Sequence, residues 1–353
     1  MPYITGYGKI ISTLVQWRKL MHGIGLVTPY WNNITKSEFI EIVQLAEELG
    51  YESIWVPEMW GRDAFSILGL LAIHTKRIKL ATGIIPVYSR TPAVIAQTIA
   101  TLDEISEGRM ILGLGTSGPI VVENWHGVPF EKPLQRTKEY VEIIRMILNG
   151  ERVKYEGEIF NLKNFRLQFK TVRKNIPIYI AAMGSKNIQL TGEVADGWIP
   201  FLVPPEQLQY SSRELEKGAE KAGRTLDKIS ISPYIPAAIS ENEDLAEDVI
   251  KEYIAYYVGG MGTFYHQAMV RFGFKDEADD IVKAWRTGDK SGAIKNVSQD
   301  MVESFSICGR AESGQSKITE YIRSGADLPI ILFPPKASRE LVRQTIEGLS
   351  PGN

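Results

Sequence analysis

Short β-branched and apolar runs that end in turn residues recur at 23–27, 53–56, 78–85, 109–114, 176–181, 197–200, 229–235 and 329–333. Most are followed by a stretch in which apolar positions return with the helical period. Phe39, Ile40, Val43, Ala46 and Leu49 form one such stripe, with Thr35 and Glu38 spaced as a capping box before it and Gly50 as a stop after it. Thr91-Pro92 places a cap and then a proline at the first helical position, and Gly108 closes that helix. A third helix is predicted from about Leu134 to Leu148, ended by Asn149-Gly150. The repeating unit is strand then helix, with surface helices covering a buried sheet.

Eight such units fit an α/β fold of the (β/α)8 TIM-like barrel type with insertions better than a doubly wound sheet. No strand is followed by GxGxxG, so a dinucleotide-binding half has no support. The chain is read as a single barrel domain over 1–353 with two insertions, about 116–175 and about 237–328. The first carries a hairpin signal at Tyr155-Glu156-Gly157, and the pattern of the other is mostly helical. Long insertions in such barrels shape the mouth.

Composition narrows the function classes. A chain of 353 residues, 44% hydrophobic, can bury one large core. Its formal net charge of -2 supplies no basic field to draw in nucleic acid or an acidic membrane surface. Cys308 is the only cysteine, which rules out an intramolecular disulfide and a cysteine metal site and fits a reducing, cytoplasmic setting. The longest apolar stretches, such as 64–73, reach about half of the roughly twenty residues that span a bilayer. The apolar piece at 10–15 is followed by Arg18 and Lys19 without a small-residue cleavage pattern, and reads as an extension.

In a barrel of this type the chemistry sits where the strands end. Three of the ends are rich in glycine or small residues: Gly83-Ile84 after strand three, Gly115-Thr116-Ser117 after strand four, and Ala181-Ala182-Met183-Gly184-Ser185-Lys186 after strand five. These are either tight barrel corners or room for a flat ring against backbone. Gly184-Ser185-Lys186 also opens a helix, which suits a phosphate or an ordinary Ser185 cap. Glu58, just beyond strand two, is either a proton donor or acceptor or the partner of Arg62 or another rim cation. Glu123 and His126 lie on the first insertion, and the tyrosines around 253–265 on the other suit either a wall or ordinary packing. The four histidines are scattered without HExxH spacing, so no metal site is expected, and GxSxG is missing.

The run ATGIIPVYSRTPAVIAQTIATLDEISEGRMILGLGTSG at 81–118, with IYIAAMGSKNIQLTGEVADGWIP at 178–200, resembles the bacterial luciferase-like superfamily. Within it the likeness is to the coenzyme F420-dependent oxidoreductases that include methylenetetrahydromethanopterin reductase. The resemblance implies coenzyme F420, or alternatively FMN, bound at the strand ends, and a hydride passed between the deazaflavin C5 and a small organic substrate, a methanopterin-like pterin among the candidates. It implies a non-prolyl cis peptide at Gly83-Ile84 behind the ring, and Gly115, Thr116 and Ser117 at the ring edge. It also implies Ala181 to Lys186 near the side chain and phosphate, Glu58 as a catalytic acid beside the cofactor, and a homodimer. Alternatives are an FMN-dependent monooxygenase on the same barrel, or a carrier that binds a flavin-like molecule without turnover.

Overall fold

A computed structural model of the chain describes residues 23–30 and 34–351; the apolar piece at 10–15 lies outside them. Eight strands form in the expected order: Gly25–Val27, Ser53–Val56, Lys79–Thr82 continued as Ile85–Pro86, Met110–Gly115, Ile178–Ala181, Gly197–Ile199, Ser230–Ile231 continued as Tyr234–Ile239, and Ile330–Leu332. Each pairs in parallel with the next, and strand eight pairs with strand one, so the sheet closes on itself. Strand seven is broken at Ser232-Pro233 but keeps its ring contacts: the Tyr234 amide donates to Pro200 at 2.8 Å, and Ile330 donates to the Pro233 carbonyl at 2.8 Å.

Side chains alternate across this ring as strand geometry requires. Leu26, Ile54, Leu80, Leu112, Ile178 and Ile331 point outward to the helices, while Val27, Trp55, Ala81, Ile111, Tyr234 and Ile330 fill the interior. The helix Lys36–Glu48 buries Phe39, Val43 and Ala46 against the outer face. Both bonds of its capping box are made, Glu38 amide to Thr35 Oγ1 at 3.3 Å and Thr35 amide to Glu38 Oε2 at 2.7 Å. The helix Pro92–Ile105 begins at a Thr91 cap with proline in its first turn. A cap of this type contributes about 1 kcal/mol.

The interruptions are shorter than the sequence pattern predicts. The helix Pro133–Leu148 packs between Pro92–Ile105 and Ser185–Val194 as the fourth barrel helix, so the first insertion splits around it. Its pieces are a loop with a π-helical turn, Ile120–Trp125, and the antiparallel hairpin Val153–Glu156 with Asn161–Phe165. Strand seven runs on to Ile239, and Ala311–Arg323 packs against the helices Pro205–Lys221 and Arg339–Gly348 as a barrel helix. The second insertion is therefore 240–310: five helices from Glu243–Gly260 to Gln299–Phe305, and a short strand, Ile307–Gly309, that extends the sheet beside Ala237–Ile239. Because it leaves and returns at the end of strand seven, it covers the barrel mouth.

Candidate active site

Strand three is notched at the mouth. Leu80 faces Met110 and Ala81 faces Ile111, but Ile85 faces Leu114, so strand three holds one residue more than its neighbour over this interval. The extra residue falls at Gly83-Ile84, whose peptide bond is cis. Thr82 repairs the ladder: its hydroxyl donates to the Gly113 carbonyl at 2.8 Å and accepts from the Gly113 amide at 2.7 Å. The glycines have distinct neighbours. A Cβ on Gly83 would lie 2.1 Å from the Tyr234 hydroxyl, one on Gly113 would lie 2.1 Å from the Thr82 carbonyl oxygen, and one on Gly115 would meet Ile84 Cδ1 at 2.8 Å.

The space beside Gly83 is thus filled by the protein's own phenol, inside the barrel, and is not left open for a ring. Tyr234 is buried and its hydroxyl has no hydrogen-bond partner among the described residues; burial pushes its pKa well above the ordinary tyrosine value. The space over Gly115 is filled by Ile84, which is half-buried and faces the mouth with Ala181, Met183 and Phe201.

Strand ends four and five are open. Thr116 and Ser117 are half-buried, and Ser117 adopts a left-handed φ of 56°. Ala182 is buried, Ala181 and Met183 are half-exposed, and Gly184, Ser185 and Lys186 are exposed. Ser185 is the first helical residue and not the cap: the cap position is Gly184, which supplies no side-chain bond. The first amides of Ser185–Val194 therefore face outward without a side-chain acceptor, a geometry that favours an anion. A Cβ on Gly184 would meet nothing within 4 Å, and Asn187 Oδ1 is buried without a partner among the described residues. The open backbone and adjoining Lys186 fit a phosphate-bearing group, while the Asn187 oxygen, an acceptor, calls for a donor instead.

Glu58 is held by its neighbours. Arg90 holds both its oxygens, Nη1 to Oε1 at 2.5 Å and Nη2 to Oε2 at 3.1 Å, and the Ala64 amide donates to Oε2 at 3.0 Å. Arg90 also pairs with Asp63, and Tyr140 donates to the Arg90 carbonyl. This network pins the loop after strand two to the loop after strand three. The expected ion pair with a rim cation is realised through Arg90. Glu123 accepts from the Phe130 amide at 3.3 Å within its own loop, and His126 Nε2 is buried without a partner among the described residues.

The second insertion closes over the mouth with aromatic side chains. Phe201, which follows strand six, meets Tyr257 at 4.8 Å and Tyr265 at 5.7 Å between ring centroids, and Tyr253 meets Tyr257 at 4.8 Å. Tyr253 and Tyr257 are buried, so these rings are wall and core. Arg271 reaches the Met183 carbonyl at 3.5 Å, tying the insertion to strand end five. Beside this wall, over strand ends eight, one and two, lies a cavity of about 560 Å³ bounded by Thr28, Tyr30, Pro57, Trp60, Tyr256, Trp285 and Lys290, among others. That volume is ordinary for a small-molecule site. None of the residues expected at strand ends three to five lines it.

A family model described as luciferase-like monooxygenase matches residues 20–328. The chain belongs to the luciferase-like monooxygenase family. A 5,10-methylenetetrahydromethanopterin reductase of Archaeoglobus fulgidus is 34% identical to this luciferase-like chain over 289 residues, 80% of the chain and 85% of the relative. An F420-dependent glucose-6-phosphate dehydrogenase of Microbacterium testaceum is 33% identical over 226 residues, 60% and 66% of the two. The solved coenzyme F420-dependent tetrahydromethanopterin reductase from Methanopyrus kandleri superposes with a TM-score of 0.80 at 29% identity, covering 93% of this chain and 97% of that one.

The luciferase-like chain holds functional candidates that sequence reasoning missed. Tyr30, Trp60, Trp285 and Lys290 come from a strand-one loop, a strand-two loop and the insertion, and meet only in three dimensions. Their aromatic and cationic character was visible; their convergence was not.

Proposed function

We propose that this protein is a coenzyme F420-dependent oxidoreductase that passes a hydride between the deazaflavin and a small organic substrate at the barrel mouth. The observation that carries the reading is the 34% identity to an F420-branch reductase over four-fifths of the chain. The open strand end five, with helix amides that no side chain caps and Lys186 beside them, supports it. Bound there, the deazaflavin supplies a carbon that donates or accepts a hydride.

The chain's own residues bind, orient and exclude water. The Ser185 and Lys186 amides and the Lys186 ammonium would hold the phosphate, with Ala181, Ala182, Met183 and Gly184 giving close access. Gly115, Thr116, Ser117 and Ile84 would border the ring, with Gly83 behind them. The buried tyrosines of the insertion keep the mouth dry, which strengthens every polar contact there. No proton donor is assigned, since Glu58 is occupied by Arg90.

The relatives act on unlike substrates, a pterin in one case and a sugar phosphate in the other, so a pterin is one candidate among organic substrates. A cytoplasmic setting is consistent with no described helix being long and apolar enough to cross a membrane. A homodimer through barrel helices is supported by Ile73 and Ile105, 69% and 47% exposed at the ends of two adjacent helices.

Fluorescence titration with coenzyme F420 and, separately, FMN tests the reading. Saturable binding of F420 in preference to FMN is expected, weakened about tenfold by Lys186→Gln, the size of one charge-assisted contact. Preference for FMN would move the protein to the monooxygenase chemistry of the same barrel, and binding of neither would remove the cofactor reading.

A further inference from the structure

The cavity over strand ends eight, one and two has a charge pattern that no cofactor residue explains. Three cationic side chains, Arg62, Lys290 and Lys336, and one carboxylate, Glu252, are among the residues that bound it. Glu252 is already neutralised by Lys336, Oε1 to Nζ at 2.5 Å. Lys290 is different. Its ammonium lies 3.2 Å from the centroid of the Trp285 ring and 3.5 Å from the Trp285 carbonyl oxygen, and no carboxylate among the described residues comes within ion-pairing distance.

A cation held against an aromatic face keeps its charge and loses rotational freedom, which readies it for an anion. Tyr30, Tyr256 and Trp60 complete an aromatic surround, and Tyr256 meets Trp285 at 5.9 Å. Burial holds the Tyr30 phenol protonated, with its pKa raised to about 12, so that wall adds no negative charge near neutral pH.

We infer that this cavity is the substrate subsite and that it selects ring-bearing organic anions, with Lys290 receiving the carboxylate or phosphate and the aromatic walls receiving the ring. The inference rests on the proposed F420 chemistry for calling the ligand a substrate. The two sites adjoin: Tyr253 bounds the cavity and also belongs to the aromatic wall with Phe201. A ligand in the cavity would therefore flank the strand ends assigned to the cofactor. Lys290 is a specificity residue in this scheme and takes no part in the transfer itself.

Isothermal titration of the F420-saturated protein with 2-naphthoate, 2-naphthyl phosphate and uncharged 2-naphthamide tests it. One anion should bind more tightly than the amide, and which of the two does so separates a carboxylate substrate from a phosphate. Lys290→Gln should cost the anion about tenfold and leave the amide unchanged. Lys290 is exposed, so the variant should fold, and an unchanged melting temperature verifies this. Equal binding of anion and amide, no binding of any probe, or an anion affinity indifferent to Lys290→Gln would each overturn the inference.

F420 affinity should be the same in wild type and Lys290→Gln; a matching loss would assign the cavity to the cofactor's own acidic portion and also overturn it. If F420 does not bind at all, the naphthoate series is run on the protein alone. A Lys290-dependent preference there would retain the anion subsite while the proposed cofactor chemistry falls.

Discussion

Gly83 has a structural reason to be glycine that the sequence does not display. Its lack of a side chain is needed within the fold itself, because the Tyr234 hydroxyl occupies the space a Cβ would enter. Gly83→Ala should destabilise the protein by about 1–3 kcal/mol, the usual cost of overpacking. Combining it with Tyr234→Phe removes the 2.1 Å contact and leaves Trp55 Cβ at 3.2 Å and Tyr234 Cζ at 3.3 Å as the nearest atoms. Thermal melting of the double variant should recover most of the loss.

Glu58 was open to two readings, proton transfer or an ion pair with a rim cation, and the contacts supply the ion pair. Arg90, 32 residues away on the next loop, is a rim cation that no local spacing would have picked out. Glu58→Gln should cost about 1–2 kcal/mol of stability through the weakened ion pair. It should leave the pH–rate profile in place, where loss of a true proton donor would lower turnover about 10²–10⁴-fold.

At the scale of elements, caps and periodicity made the helices legible, while tertiary anchors stayed hidden. The hairpin expected at Tyr155-Glu156-Gly157 turns through 157–160, and the buried carboxylate of Glu139, on the preceding helix, fixes that turn. The Glu139 oxygens accept from the amides of Glu158 at 2.8 Å, Ile159 at 3.1 Å and Phe160 at 2.9 Å. Burial alone would raise the Glu139 pKa, but the Gln135 side chain and these amides outweigh it and hold it below the usual carboxylate range.

A carboxylate with a depressed folded-state pKa contributes stability above its unfolded pKa and loses it as pH falls through the folded value. Protection factors of the hairpin amides, measured against the intrinsic exchange rate at each pH, should therefore fall on acidification from about pH 5 downward. Glu139→Gln should flatten that dependence and raise exchange near neutral pH. The insertion boundaries were misjudged for a different reason: periodicity identifies a helix at 134–148 without saying whether it covers the barrel or interrupts it.

At the scale of the whole molecule, the barrel was readable because eight buried strands leave an eightfold record in the sequence. The cavity left no such record, because its walls come from the loops after strands one, two and eight and from the distant insertion. The outer surface carries its own signal. The helix Ala64–His74 is apolar along most of its length, and Ile73 near its end remains 69% exposed, as Ile105 at the end of the next barrel helix is 47% exposed. Sedimentation should give a dimer, and Ile73→Lys with Ile105→Glu should shift it to monomer while leaving the melting cooperative.

The Thr82 hydroxyl has a further consequence for substitution. By giving one hydrogen bond and taking one from Gly113, it impersonates a missing peptide group and keeps the hoop of strands electrically continuous across the notch. Size is therefore the wrong guide to what position 82 tolerates. Valine, nearly identical in shape, would strand a main-chain donor and an acceptor in a dry interior at about 1–3 kcal/mol each. Serine, smaller and looser, would keep the hoop intact.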